Sequence, residues 1–289
     1  MPGVPNRNSV QHRRNDTAEM TPPKVSASLT SSADAHSSDV YPTAHTTAEF
    51  AANLTDVRAK IDAAAARAGR SGSDVRLLPV SKTVPEERIR LAVAAGATLL
   101  GENKVQEAQR KSQNLADIDE LKWAVIGNLQ TNKAKYVARF ASEFHALDRI
   151  RVAEALQRRL EAEDRTLTVY VQVNTSAEDS KFGLVPDETE AFVAQLPRFD
   201  RLHVVGLMTL AVFSADQDRV RGCFQVLRQL RDRICQTAPG GIRPELLSMG
   251  MSGDYQTAIE EGATTVRVGQ AIFGARTTPD SHYWPGATA

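Results

Sequence analysis

The run Leu77-Leu78-Pro79-Val80-Ser81-Lys82 is apolar until it closes on a serine and an ammonium. Far downstream, Ser252-Gly253-Asp254 and Val268-Gly269-Gln270 each place a glycine where an apolar run gives way to a helical pattern. A lysine whose charge is suppressed by burial is a nucleophile toward aldehydes. A serine hydroxyl beside free backbone N–H groups at a helix start holds phosphate, and Ser252 is placed to cap that helix. Gly269 lets backbone approach a ligand closely. Arg267 offers a guanidinium that can face an aromatic ring nitrogen. Each residue also has a plainer role. Lysines mostly face solvent, Ser252 could simply cap, Gly269 could simply turn, and Arg267 could sit in an interior salt bridge.

Which role applies depends on the elements that carry these residues. Thr46-Thr47-Ala48-Glu49 is a capping-box pattern, followed by Phe50, Leu54, Val57 and Ile61 at helical spacing. After this opening helix the chain alternates. Strands are expected at 75–81, 98–101, 123–127, 143–147, 167–174, 203–208, 245–249 and 265–268. Helices are expected at 85–95, 105–115, 132–140, 150–163, 187–196, 216–234 and 254–261. Eight strands alternating with helices over about 230 residues match an α/β fold, a single (β/α)8 TIM-type barrel with an extra N-terminal helix. A doubly wound open sheet is the alternative, but its GxGxxG fingerprint is missing after the first strand.

Barrel chemistry lies at the C-terminal strand ends. Those ends here are Lys82, Asn103, Asn128, Asn174 with Ser176, Met208 with Thr209, Ser252, and Arg267 with Gly269. The loops after strands seven and eight are the usual phosphate site of such barrels. A lysine set opposite them has what is needed to hold a phosphorylated aldehyde such as pyridoxal phosphate. The histidines are scattered, and HExxH, CxxC, GxSxG and P-loop patterns are absent from the sequence, which argues against a metal site, a serine-hydrolase elbow or a nucleotide loop.

The rest of the sequence narrows the setting. Thirty-five basic residues balance 35 acidic ones, which argues against a protein that coats nucleic acid or an anionic membrane. No apolar run reaches the length of a membrane span. Cys223 and Cys235 lie on one expected helix about 18 Å apart, too far for a disulfide, and suit a reducing, cytoplasmic setting. Residues 1–46 hold twelve Ser or Thr, five Pro and one Leu, so a disordered tail is expected there. Residues 47–276 would form the barrel and 277–289 a loose end. The arginines between 149 and 165 alternate with acids and read as a solvated helix face; those between 219 and 233 are more lopsided.

Seven motifs occur in order. They are Val80-Ser81-Lys82-Thr83, Gly101-Glu102-Asn103-x-Val105-Gln106-Glu107, Ile126-Gly127-Asn128-Leu129-Gln130-x-Asn132-Lys133, Gln172-Val173-Asn174-x-Ser176-x-x-x-Ser180-Lys181-x-Gly183, Gly206-Leu207-Met208-Thr209, Leu247-Ser248-Met249-Gly250-Met251-Ser252 and Val266-Arg267-Val268-Gly269-x-Ala271-Ile272-Phe273-Gly274. Over roughly residues 50–276 the chain resembles the pyridoxal phosphate homeostasis protein family, single-domain relatives of the alanine racemase barrel. The resemblance implies pyridoxal 5'-phosphate on Lys82, phosphate contacts from Ser252 and Gly269, and a ring-nitrogen contact from Arg267. It places Asn103 and Met249 near the cofactor. The family often carries histidines in its third-strand motif, where this chain has Ala124 and Asn128, so no role of theirs carries over.

Racemisation needs an acid or base on each face of the substrate carbon. Lys82 could serve one face. In the related racemases the other is served by a tyrosine of an added C-terminal domain, and fifteen residues follow Gly274 here. Arg267 against the ring nitrogen would also weaken the cofactor as a carbanion sink. Both points, and the resemblance, favour a carrier in vitamin B6 and amino-acid homeostasis over an enzyme, with apo pyridoxal-phosphate enzymes as candidate recipients. A racemase or lyase of low activity, and a barrel enzyme acting on another phosphorylated substrate, are the alternatives.

Overall fold

A computed structural model describes residues 41–178 and 181–275. Helix α1 (Thr47–Arg67) opens on the expected capping box: Thr46 Oγ1 accepts the Glu49 N–H, and the Glu49 carboxylate accepts the Thr46 N–H. Then come β1 (Arg76–Pro79), α2 (Glu86–Ala94), β2 (Leu99–Glu102), α3 (Val105–Asn114), β3 (Lys122–Val125), α4 (Ala134–Phe140), β4 (Glu143–Leu147) and α5 (Ile150–Ala162). The second half runs β5 (Leu167–Gln172), α6 (Pro186–Val193), β6 (Leu202–Met208), α7 (Gln217–Thr237), β7 (Leu246–Ser248), α8 (Tyr255–Glu260), β8 (Thr265–Val268) and the short α9 (Gln270–Phe273).

All strand pairs are parallel, in the order β1-β8-β7-β6-β5-β4-β3-β2. The ring closes between β1 and β2 through a bridge from Val80 to Gly101, with the Ser81 N–H donating to the Gly101 carbonyl at 3.0 Å. This is the expected single (β/α)8 TIM-type barrel. Because helices cover the sheet, its strands are buried on both faces; β4 has no exposed residue. Helix α1 packs against α2, α8 and α9, with Phe50 edge-on to Phe273 at 5.6 Å.

Of the expected tail, residues 41–46 lie within the described part, where Ala44 is buried and its carbonyl accepts Arg88 Nε at 2.9 Å. The expected tail up to residue 40 and the expected loose end, 277–289, lie outside the described residues. Both cysteines are free and sit on α7. Two of the lopsided arginines of that helix pair with neighbouring residues: Arg221 bridges Glu260 and Glu261, and Arg228 reaches Glu261. Among the described residues no helix is long and apolar enough to cross a membrane, and no cluster of side chains suits a metal.

Candidate functional site

Lys82 follows β1 and is half-buried. The Val80 N–H donates to the Val268 carbonyl at 2.9 Å, so the turn carrying Lys82 lies beside the end of β8, which Gly269 follows. Gly269 in turn donates its N–H to Ser252 Oγ at 3.3 Å. The strand order therefore gathers Asn103, Lys82, Gly269 with Arg267, and Met249 with Ser252 at the adjoining ends of β2, β1, β8 and β7.

Ser252 is not the helix cap its sequence position suggested. The cap of α8 is Asp254, whose side chain makes no capping bond to the helix and instead turns back to accept the Met251 N–H at 2.5 Å. That closes a tight turn with Ser252 and Gly253 at its tip. Gly250 makes the turn possible: it sits at φ +94, and a Cβ there would lie 2.8 Å from the Tyr255 backbone. At Gly253 a Cβ would meet nothing within 4 Å. The Ser252 hydroxyl, accepting from Gly269, keeps its own proton to donate toward an anion.

Arg267 is fully interior, and the salt bridge contemplated from sequence is not what holds it. One terminal nitrogen donates to the Ser248 carbonyl (2.6 Å) and Oγ (2.8 Å), the other to the Thr209 carbonyl (2.7 Å). Burial lowers its pKa to about 10, and the field of Asp254 opposes the drop. Met249 is buried and Asn103 half-buried. The backbone of Asn103 passes so close to Gly127 that a Cβ there would sit 2.0 Å from its carbonyl oxygen. Asn128, at the departure from the family motif, is engaged by its neighbours: it donates to Asp148 at 3.3 Å and accepts from Arg149 at 3.2 Å. Asn174 orders its own loop, accepting from the Ser176 backbone and hydroxyl.

Two buried polar networks escaped the sequence reading. The first lies under the Lys82 turn. Lys111, wholly buried on α3, donates to the Ser81 carbonyl (2.8 Å), Glu102 (2.7 Å) and Glu107 (2.7 Å). Ser81 Oγ donates to Glu102 at 2.6 Å, and Glu107 accepts the Thr83 N–H at 2.8 Å. Thr83 sits at φ +65, a conformation that costs a β-branched residue roughly 1–2 kcal/mol. Burial raises the pKa of Glu102 against the pull of Lys111, and one of its oxygens is buried with no partner. Burial also pushes on Glu107, but hydrogen bonds from Lys111 and Thr83 outweigh it and hold its pKa low. The signal was present: Val105, Ala108 and Lys111 recur at helical spacing, which puts the lysine on the covered face of α3.

The second network crosses the barrel interior. His145 meets Ser248 Oγ through Nδ1 at 3.0 Å and Glu143 through Nε2 at 2.8 Å. Arg76 grips Glu143 with both terminal nitrogens, at 2.5 and 2.7 Å. β1 does not adjoin β4, nor β4 β7, so these contacts span the interior. Burial drives the His145 pKa down to about 4 despite Glu143. Burial acts to raise Glu143, but His145 and Arg76 prevail and hold it at about 2. A neutral His145 that gives Nε2–H to Glu143 must accept from Ser248 at Nδ1, so the chain of donors runs one way from Arg267 to the carboxylate.

The donor set thus consists of a half-buried amine, a hydroxyl at the tip of an open glycine turn and a buried guanidinium. It fits a phosphorylated aldehyde with a ring nitrogen.

The sequence model of the family described as alanine racemase, N-terminal domain, matches residues 52–277. The chain is 40% identical over 223 residues to the pyridoxal phosphate homeostasis protein of Aquifex aeolicus, covering 77% of this chain and 96% of the relative. It is 40% identical over 230 residues to that of Escherichia coli K12, covering 79% and 97%. Among solved structures, PipY of Synechococcus elongatus with pyridoxal phosphate bound superposes with a TM-score of 0.68 at 32% identity, covering 78% of this chain and all (100%) of that one. The alanine racemase of Streptomyces coelicolor shares the fold at a TM-score of 0.60 and 19% identity, covering 81% of this chain and 60% of that one. The chain belongs to the alanine racemase N-terminal domain family and, within it, to the pyridoxal phosphate homeostasis proteins.

Proposed function

We propose that this chain binds pyridoxal 5'-phosphate as a Schiff base on Lys82 and serves as a carrier in intracellular vitamin B6 and amino-acid homeostasis. The observation that carries the proposal is the adjacency of the Lys82 turn to the Gly269–Ser252 contact, an amine and a phosphate-type cradle on neighbouring strand ends. Ser252 and the backbone at Gly253 and Gly269 would hold the phosphate, and Arg267 would face the ring nitrogen. Asn103 and Met249 would line the same mouth. When bound, the cofactor supplies an electrophilic carbon and an electron-accepting ring. With a pKa of about 10, Arg267 keeps its proton near neutral pH and is far more basic than a pyridine nitrogen, so it would donate a hydrogen bond to the ring nitrogen without protonating it. That disfavours carbanion chemistry and supports holding over turnover. The names of the relatives and the ligand of the Synechococcus structure support the same role. Apo enzymes that need the cofactor are the recipients consistent with it.

Borohydride reduction of the loaded protein followed by peptide mass spectrometry tests the linkage. A pyridoxyl adduct on Lys82 is expected; an unlabelled Lys82 overturns it. Solvent-deuterium exchange at Cα across a panel of L-amino acids tests the carrier role, and robust exchange would make the protein a racemase.

A further inference from the structure

We infer that Lys111, acting with Glu102 and Glu107, is a positioning residue that fixes the backbone on both sides of Lys82. This rests on the Lys82 proposal above and extends it to residues that touch no ligand. The preceding residue, Ser81, is held twice: its carbonyl by Lys111 at 2.8 Å and its hydroxyl by Glu102 at 2.6 Å. The following residue, Thr83, is held through its N–H by Glu107 at 2.8 Å, and Glu107 is itself held by Lys111 at 2.7 Å. Lys82 therefore hangs between two residues tied to one ammonium.

An ammonium has three protons, and all three of Lys111 are used, on Ser81, Glu102 and Glu107. Two of those acceptors act directly on the flanks of Lys82. A salt bridge that served stability alone would be a poor choice here, because apolar side chains of similar volume hold a buried site as well or better. What apolar side chains cannot do is fix a carbonyl and an N–H in direction. Thr83 needs that direction: its φ of +65 is disfavoured for threonine, and an outside acceptor on its N–H sustains it. The consequence for function is that the Lys82 side chain starts from one backbone geometry, which preorganises the amine for its aldehyde.

The test uses the full chain. Lys111→Met alone strands two carboxylates, so the working variant is Lys111→Met with Glu102→Gln, which removes the buried charge pair while keeping an acceptor for Ser81. Three measurements are compared with the parent. Exchange of the Thr83 amide is expected to accelerate at least tenfold. Acylation of Lys82 by acetic anhydride, read by mass spectrometry, is expected to change at least threefold. Capture of pyridoxal phosphate on Lys82 is expected to slow at least tenfold. Glu107→Ala should reproduce the amide effect and Glu107→Gln, which keeps the acceptor, should not. Leu160→Ala, in the core on α5, supplies a thermally weakened control that should leave all three unchanged. The inference is overturned if the charge-neutralised variant matches the parent in amide exchange and acylation, or if Leu160→Ala shifts them equally. The first two measurements need no cofactor. An absent adduct in the parent alongside altered exchange therefore removes the Schiff-base proposal and leaves the positioning role standing.

Discussion

The two buried polar networks solve opposite problems. The rim network gathers Ser81, Thr83, Glu102, Glu107 and Lys111, all within 31 residues of chain, and works on backbone: a carbonyl and an N–H are its targets. The axial network draws on β1, β4, β7 and β8 and works on side chains, ending at the guanidinium of Arg267. The rim network holds strain, at Thr83, whereas no non-glycine residue of the axial network has positive φ. Proton affinities differ as well. In the rim network one carboxylate is raised and one lowered, while in the axial network burial and pairing shift His145 and Glu143 both downward. One network shapes where an amine starts. The other keeps a cation fixed in the barrel interior.

The largest expected effect breaks the comparison at the residue between them. Lys82→Ala should abolish the Schiff-base absorbance completely while far-ultraviolet circular dichroism stays at parent intensity, because the side chain lies in the turn after β1 and is only half-buried. Collapse of the dichroism would make Lys82 a structural lysine instead.

Acid separates the networks next. His145 has a folded pKa of about 4, below its ordinary 6.5, so the unfolded chain takes up a proton that the folded chain refuses. Stability is full above pH 6.5 and falls as pH drops toward 4, by roughly 3 kcal/mol for a shift of this size. Glu143, held at about 2 against 4.5, adds a loss of the same sign as pH falls from 4.5 toward 2. In the rim the raised Glu102 acts with the opposite sign and the lowered Glu107 with the same sign. Urea unfolding at a series of pH values should show the His145→Gln variant losing the segment between pH 6.5 and 4. An unchanged slope in that variant would place the acid sensitivity elsewhere.

A smaller effect is expected at the cradle. Ser252→Ala removes one hydroxyl donor to a phosphate, worth about 1.5 kcal/mol, so binding of pyridoxal phosphate should weaken roughly tenfold. Binding of unphosphorylated pyridoxal should not change. Equal losses for both would mean that Ser252 shapes the mouth rather than contacting phosphate.

The same contrast explains what was legible from the amino acids. Strand ends are punctuated by glycine, serine and lysine, so the α1 capping box, the eight strands and strand-end positions such as Lys82, Ser252 and Gly269 could be read from local pattern, whereas Met249 entered only with the family resemblance. The turn at Ser252 was misjudged because Asp254 turned back onto Met251, a choice between two short-range acceptors that spacing does not decide. The axial network was invisible for a stronger reason. Arg76 and Glu143 are 67 residues apart on strands that do not pair, and only barrel closure brings them into contact. Lys111 lay between these extremes: its place on the covered face of α3 was readable, its three acceptors were not.

The smallest expected effect sharpens the claim that strain belongs to the rim. Thr83→Gly removes the penalty of a β-branched residue at φ +65 but adds glycine's entropy in the unfolded chain and loses the Thr83 hydroxyl's bond to the Lys82 carbonyl. These terms nearly cancel, leaving a stability change within about 0.5 kcal/mol, which urea unfolding resolves poorly. The coupling is more telling than the single variant. Glu107→Ala should destabilise the parent more than it destabilises the Thr83→Gly chain, because glycine reaches this conformation without an acceptor on its N–H. A double-mutant cycle measures that difference directly. A coupling of zero would mean that Glu107 balances Lys111 alone and that Thr83 keeps its geometry from the rest of the turn. A positive coupling puts the constraint on the peptide that follows Lys82, where the amine's starting position is set.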